Sequence, residues 1–175
     1  MPHYHLMLAR GVAVLAMLAA CKDAGQGVAH FGEWTIGKTT LQDATGRCEP
    51  TTFANGRAGV YCFGQRPATI AEQRATVDLY FATNTPDAPL IELQLTIAAC
   101  KPEPVQGWLR STLGKPRSFV GSRMTWESRA MLGLADVPTA TGKCQLRFFP
   151  PSERGEFDQL TAAAPQQQGG RQPQH

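Results

Sequence analysis

The clearest pattern in the chain is the alternation Leu90-Ile-Glu-Leu-Gln-Leu-Thr-Ile97. Ile91, Leu93, Leu95 and Ile97 share one parity and Glu92, Gln94 and Thr96 the other, which predicts a strand with one packed and one solvated face. A solvated face implies an antiparallel sheet with helices on one side. A second pattern has helical spacing: Val105, Trp108, Leu109 and Thr112-Leu113. Pro104 suits its first turn and Gly114 stops it. Extended runs at Val60-Tyr61-Cys62-Phe63, Val77 to Phe81, Met124 to Trp126 and Cys144 to Phe149 read as further strands. Thr39 or Thr40 suits the N-cap of a short helix through Leu41 and Ala44, ending near Gly46. Asn55-Gly56 reads as a turn.

These elements recur at a nearly constant offset. Gly46-Arg-Cys-Glu-Pro50 is echoed by Gly114-Lys-Pro116, 68 residues on. The aromatic runs at Tyr61 and Trp126 are 65 residues apart, and those ending at Phe81 and Phe149 again 68. The expected fold is therefore α+β. It has two units of a helix plus three antiparallel strands (αβββ-αβββ), residues 33–100 and 101–160, with the helices packed on one face of the sheet. Trp34, Trp108 and Trp126, at helix and strand spacing, are expected in the core. Residues 161–175 have no apolar period and are rich in Gln, Pro and Gly, which predicts disorder.

Before this region stands a charge-free apolar run of ten, Gly11 to Ala20, preceded by Arg10. A spanning helix needs about 20 apolar residues. The shorter run suits the apolar core of a signal peptide, residues 1–20. It ends Leu18-Ala19-Ala20-Cys21, which resembles the lipobox of bacterial lipoproteins. The resemblance implies a cut before Cys21, lipidation of that thiol, palmitate included, and a membrane anchor facing the periplasm. Two or three acyl chains, at about 0.8 kcal/mol per buried CH₂, hold a protein stably at a membrane. Lys22 stands where an inner-membrane retention signal has Asp, so the same resemblance implies the outer membrane. Residues 21–32 then form the lipidated Cys and a tether, whose eleven residues after Cys21 span about 18 Å.

Removing Cys21 leaves four cysteines: Cys48, Cys62, Cys100 and Cys144. An even remainder in an exported chain suggests two disulfides. Of the three pairings, Cys48–Cys62 and Cys100–Cys144 close short, non-crossing loops and are preferred. No CxxC pair exists, and His30 is the only His between Cys21 and the tail, which argues against a zinc site. Charge is divided unevenly. Residues 22–100 carry six Lys/Arg and eight Asp/Glu, whereas 101–154 carry nine and four. The basic half suits an anionic partner or a solvated face.

Catalytic signals are weak, and no catalytic residue, metal ligand or cofactor is expected. A nucleophile needs an oriented base, and the histidines after Cys21 are His30 in the tether and His175 in the tail. Asp78 and Glu92, on neighbouring strands, are the carboxylate pair a small envelope hydrolase would use. Gly32-Glu-Trp-Thr-Ile-Gly37-Lys38-Thr39 matches a phosphate-loop pattern by letter, but it lacks a preceding strand and holds bulky Trp34 and Ile36. The opening Gly37-Lys-Thr-Thr-Leu-Gln-Asp-Ala-Thr-Gly46 resembles that of the outer-membrane-assembly lipoproteins of the BamE type and of the tandem-repeat β-lactamase inhibitor proteins. Arg47-Cys48-Glu49 departs from the tighter Gly-x-Pro turn of those families. The resemblance implies binding of an envelope protein by a sheet face, without catalysis and without nucleic acid. Val60-Tyr61-Cys62 and the strands after it also resemble lysozyme-inhibitor lipoproteins, a compact β-barrel family. Tyr80 and Arg147, on the polar parity of their strands, are the expected binding residues, with Arg123 and Arg129 beside them.

Overall fold

The computed structural model describes residues 30–163. Cys21, the signal-like segment, most of the tether and residues 164–175 lie outside the described residues. The chain opens with a small hairpin, β1 (His30–Phe31) and β2 (Trp34–Thr35). A 3-10 turn at Leu41–Asp43 leads into β3 (Arg47–Thr52), β4 (Ala58–Phe63), β5 (Ala68–Ile70), β6 (Gln73–Phe81) and β7 (Leu90–Cys100). Helix α1 (Pro102–Leu113) follows, then β8 (Ser118–Val120), β9 (Arg123–Glu127), β10 (Leu132–Asp136) and β11 (Gly142–Phe149). Helix α2 (Arg154–Ala162) ends the described chain.

One nine-stranded sheet holds all but the first hairpin, in the order β3-β4-β6-β7-β11-β10-β9-β8, with β5 on the flank of β6. Every pairing is antiparallel. The second meander folds back so that β11 lies against β7, and the sheet runs unbroken across the point where two units were expected.

The expectation of paired αβββ units with helices on one face is therefore corrected. Residues 33–100, all of them described, hold no α-helix, only the 3-10 turn. The Asp43 carboxylate turns back onto the N–H and hydroxyl of Thr40, both at 2.8 Å. Leu41 N–H donates to Ala88 O and Thr40 bridges Pro89, so tertiary contacts hold the segment after one turn. Its residues also lack an apolar face wide enough to sustain a helix. Each half contributes four strands or more, and the two helices lie on opposite faces.

The first face is the main core. Val60, Cys62, Val77, Leu79, Leu93, Leu95, Ile97, Leu146 and Phe148 point into it. It is covered by Val105 and Leu109 of α1, and by Phe31, Trp34 and Ile36 of the first segment. Phe31 stacks on Phe148 with centroids 4.1 Å apart. Trp34 and Trp126 are buried here, as their spacing predicts, while Trp108 packs half-buried against the same core. The inward parity of β7 holds for Leu93, Leu95 and Ile97 but not for Ile91. A bulge pairs Phe81 with Leu90 and Tyr80 with Glu92, which leaves Ile91 as the extra residue.

Two disulfides brace this core: Cys48–Cys62 across the paired strands β3 and β4, and Cys100–Cys144 across β7 and β11. The second face holds a smaller cluster, in which Leu132, Leu134 and Phe149 receive Phe157 and Leu160 of α2.

Candidate functional site

Helix α2 covers the β10–β11 side of the second face. The β4–β6–β7 side is left with a row of polar and aromatic side chains. Strand parity places them there: Tyr61 opposite Tyr80, Tyr80 opposite Glu92, Asp78 opposite Gln94, and Gln94 opposite Arg147. Cross-strand partners in such a ladder stand within contact distance.

The aromatic rings form a continuous line. Phe63 and Tyr61 stack at 5.4 Å, Tyr61 and Tyr80 meet tilted at 5.0 Å, and Phe53 closes the row 6.2 Å from Tyr80. Phe53 reaches this position because Gly59 has no side chain. A Cβ on Gly59 would collide with the Phe53 ring and come within 2.7 Å of the Phe81 carbonyl. Arg47 lies over the Phe63 ring at 5.6 Å and Arg57 over Phe53 at 5.1 Å, so cations cap both ends of the row. Tyr61, Phe63 and Tyr80 are half-buried.

Beside the row sits a buried acid. Glu92 is only 2% exposed. Arg147 Nε lies 3.1 Å from Glu92 Oε1. The Arg147 Nε–H donates instead to Gln94 Oε1 at 3.1 Å, so Glu92 Oε1 has a counter-charge but no hydrogen bond. Burial is the main reason that the Glu92 carboxyl is pushed up to about 7. Arg147 opposes the shift, while Glu156, Asp78 and Glu153 add to it. Burial also raises Asp78, against the pull of Tyr61 and Lys143. The Tyr61 phenol is pushed up to about 12 by its own burial and then by the charge of Asp78. Tyr80 is raised further, again chiefly by burial.

The C-terminal segment forms the wall. The Glu156 carboxylate accepts the N–H groups of Ala54 and Asn55 at the β3–β4 turn, each at 2.9 Å. Arg57 donates to Glu153 at 2.6 Å. Glu153, Glu156, Tyr61 and Gln94 were not singled out from sequence. Strand parity alone was enough to find Tyr61 and Gln94. The acidic pair was hidden because it acts on a turn about a hundred residues away.

Of the residues expected to bind, Tyr80 and Arg147 come together in this cluster, and Asp78 and Glu92 join them. Arg123 does not. Its guanidinium holds Asp136 through two bonds of 2.8 Å and donates to Leu160 O and Ala163 O at the end of α2. Arg129 stands exposed between β9 and β10, outside the cluster. The phosphate-loop match at residues 32–39 follows the short strand β1, which was not expected, and holds the turn and second strand of that hairpin, with Trp34 and Ile36 buried in the core and no α-helix directly after it.

The arrangement offers flat aromatic area, half-buried phenols, and cations at both ends of the row, which are the ingredients of a recognition surface. No family model, curated protein or solved structure matches this chain.

Proposed function

We propose that the protein is a lipid-anchored envelope module that binds another envelope protein, without catalysis, through the sheet face around Tyr61, Tyr80 and Arg147. The observation that carries this reading is the row Phe63–Tyr61–Tyr80, half-buried and backed by buried Phe53, on the part of the sheet that α2 leaves open. Tyrosine and arginine are the residue types that most often anchor protein interfaces.

Two further features support it. The pair of disulfides suits an oxidising compartment. The described chain also begins on the opposite face, where Phe31 is packed against Phe148. A tether running from Cys21 to that point would turn the aromatic row away from the membrane. Confinement to the membrane raises effective concentration, so an interface of modest affinity suffices.

The test is a photo-reactive residue at position 63, compared in cells with one at Glu103 on α1, in parent and Cys21→Ala proteins. One dominant envelope protein captured from position 63, and only by the acylated form, is the expected result. Equal capture from both positions would sink the reading.

A hydrolase using Asp78 and Glu92 is the second reading, favoured by the raised proton affinity of both carboxyls. The burial of Glu92 beneath Arg147 weighs against contact with a substrate. Hydrolysis lost on Glu92→Gln, in a protein at least as stable as the parent, would favour this alternative.

A further inference from the structure

The two edges of the sheet are built differently. β3, at one edge, carries Pro50 between Arg47, Glu49 and two threonines. Proline removes a backbone donor and charges discourage pairing, so this edge is blunted. β8, at the other edge, has neither device. It presents Phe119 and Val120, 55% and 71% exposed, which are the exposed large hydrophobic side chains among the described residues. β8 pairs with β9 and with no other described strand. In antiparallel pairing outward and inward groups alternate. The two-residue turn at Gly121-Ser122 closes on Val120 and Arg123, which turns the N–H and C=O of Phe119 outward.

Charge around this edge is one-sided. Between residues 110 and 129 lie five cations and one acid, Glu127. Arg117 is bound by Glu127 and Arg123 by Asp136. Arg110, Lys115 and Arg129 are exposed and form no salt bridge among the described residues. Lys115 and Arg129 flank the Arg117–Glu127 pair in sequence, at the end where β8 begins.

We infer that the outer edge of β8 is a docking site for an extended acidic segment of a partner protein, added to the sheet as a further strand. Phe119 and Val120 point to opposite faces. The fitting segment therefore has two adjacent apolar residues, with its acidic side chains towards Lys115 and Arg129. Backbone hydrogen bonds supply affinity in this mode, and the side chains supply selectivity. The site is separate from the aromatic row and is independent of the reading given to it.

The experiment is fluorescence anisotropy with a labelled peptide of three glutamates followed by Val-Ile-Thr, against the same peptide with lysines. Phe119→Pro removes the outward N–H while sparing the pairing of Val120 with Arg123. A second variant, Lys115→Glu with Arg129→Glu, alters only exposed side chains. Saturable binding of the acidic peptide is expected, with no binding of the basic one and a loss of about tenfold or more in each variant. Tyr61→Ala leaves it unchanged. Absence of acidic-peptide binding at millimolar concentration would overturn the inference, as would equal binding by the Lys115/Arg129 variant. Self-association lost on Phe119→Pro would assign the edge to a second copy instead, and would also overturn it. Capture from position 63 is unaffected by any of these results.

Discussion

Arg123 and Asp136 face each other across β9 and β10, and the same guanidinium holds the end of α2. Two of its donors satisfy the carboxylate, and the third reaches main-chain oxygens that a helix end leaves without partners. Arg123 thus joins the sheet to the C-terminal segment. Arg123→Ala leaves a partly buried carboxylate and free carbonyls, and should cost about 3 kcal/mol in urea unfolding. Hydrogen exchange should accelerate first at residues 157–162. Arg123→Lys keeps the charge but loses the fork, and should recover less than half. An alanine variant with parent-like stability and exchange would remove this role.

Glu92 predicts a pH dependence of opposite sign to that of an ordinary paired carboxylate. Its folded-state value is raised from 4.5 to about 7, chiefly by burial. The folded state therefore retains a proton that the unfolded chain has released between these values. Stability falls as pH rises through that window, and the penalty is complete above about 7. Glu92→Gln keeps the shape and removes the titration. Relative to the parent it should be stabilised by about 3 kcal/mol at pH near 8, with the difference fading towards pH near 4. A difference that stays constant across that range would show that Glu92 is not buried as a strained acid.

Legibility of the fold followed the locality of each signal. The alternation Leu93, Leu95, Ile97 and the spacing Val105, Leu109 with Gly114 at the stop are properties of one segment, and they became β7 and α1. Cysteine spacing led to both pairings because non-crossing loops join neighbouring strands. The Leu41 segment misled, since its capping residues serve a turn held by Ala88 and Pro89, which a local window cannot see. Helix α2 was missed because Gly155 weakens its first turn and its apolar contacts, Phe157 and Leu160, are few. Within the site, parity placed Tyr80 and Arg147 on a common face, whereas the burial of Glu92 depends on α2 and on the β3–β4 turn. Arg123 was misjudged because its basic charge was visible and its partners were not.

The β5–β6 hairpin contains removable strain. Ala71 and Glu72, between the paired residues Ile70 and Gln73, have φ of 47° and 62°. Side-chain-bearing residues in the left-handed region cost about 1 kcal/mol or more each, and this turn favours Asn-Gly. Ala71→Asn with Glu72→Gly should stabilise the protein by about 1 kcal/mol and raise Tm by about 3 °C in calorimetry. The Gln73 side chain, which exchanges hydrogen bonds with the main chain of Lys101, should keep its environment. A fall in Tm would mean that the turn is held in this shape by contacts outside the hairpin.

The two disulfides should differ in their contribution, because they restrict the unfolded chain to different extents. Cys48–Cys62 closes a separation of 14 residues and Cys100–Cys144 one of 44. Loop-closure entropy assigns about 3 kcal/mol to the first and about 4 to the second. Position adds to the difference. Cys48–Cys62 ties an edge strand to its neighbour, whereas Cys100–Cys144 joins β7 to β11, the one pairing that links the two meanders. Replacing Cys100 and Cys144 with Ala should therefore destabilise the protein more than replacing Cys48 and Cys62. It should also loosen the β7–β11 amides in hydrogen exchange while leaving β3–β4 protected. If the Cys48/Cys62 variant proved the weaker of the two, loop entropy would not govern these bonds, and the edge strand would depend on its disulfide for its place in the sheet.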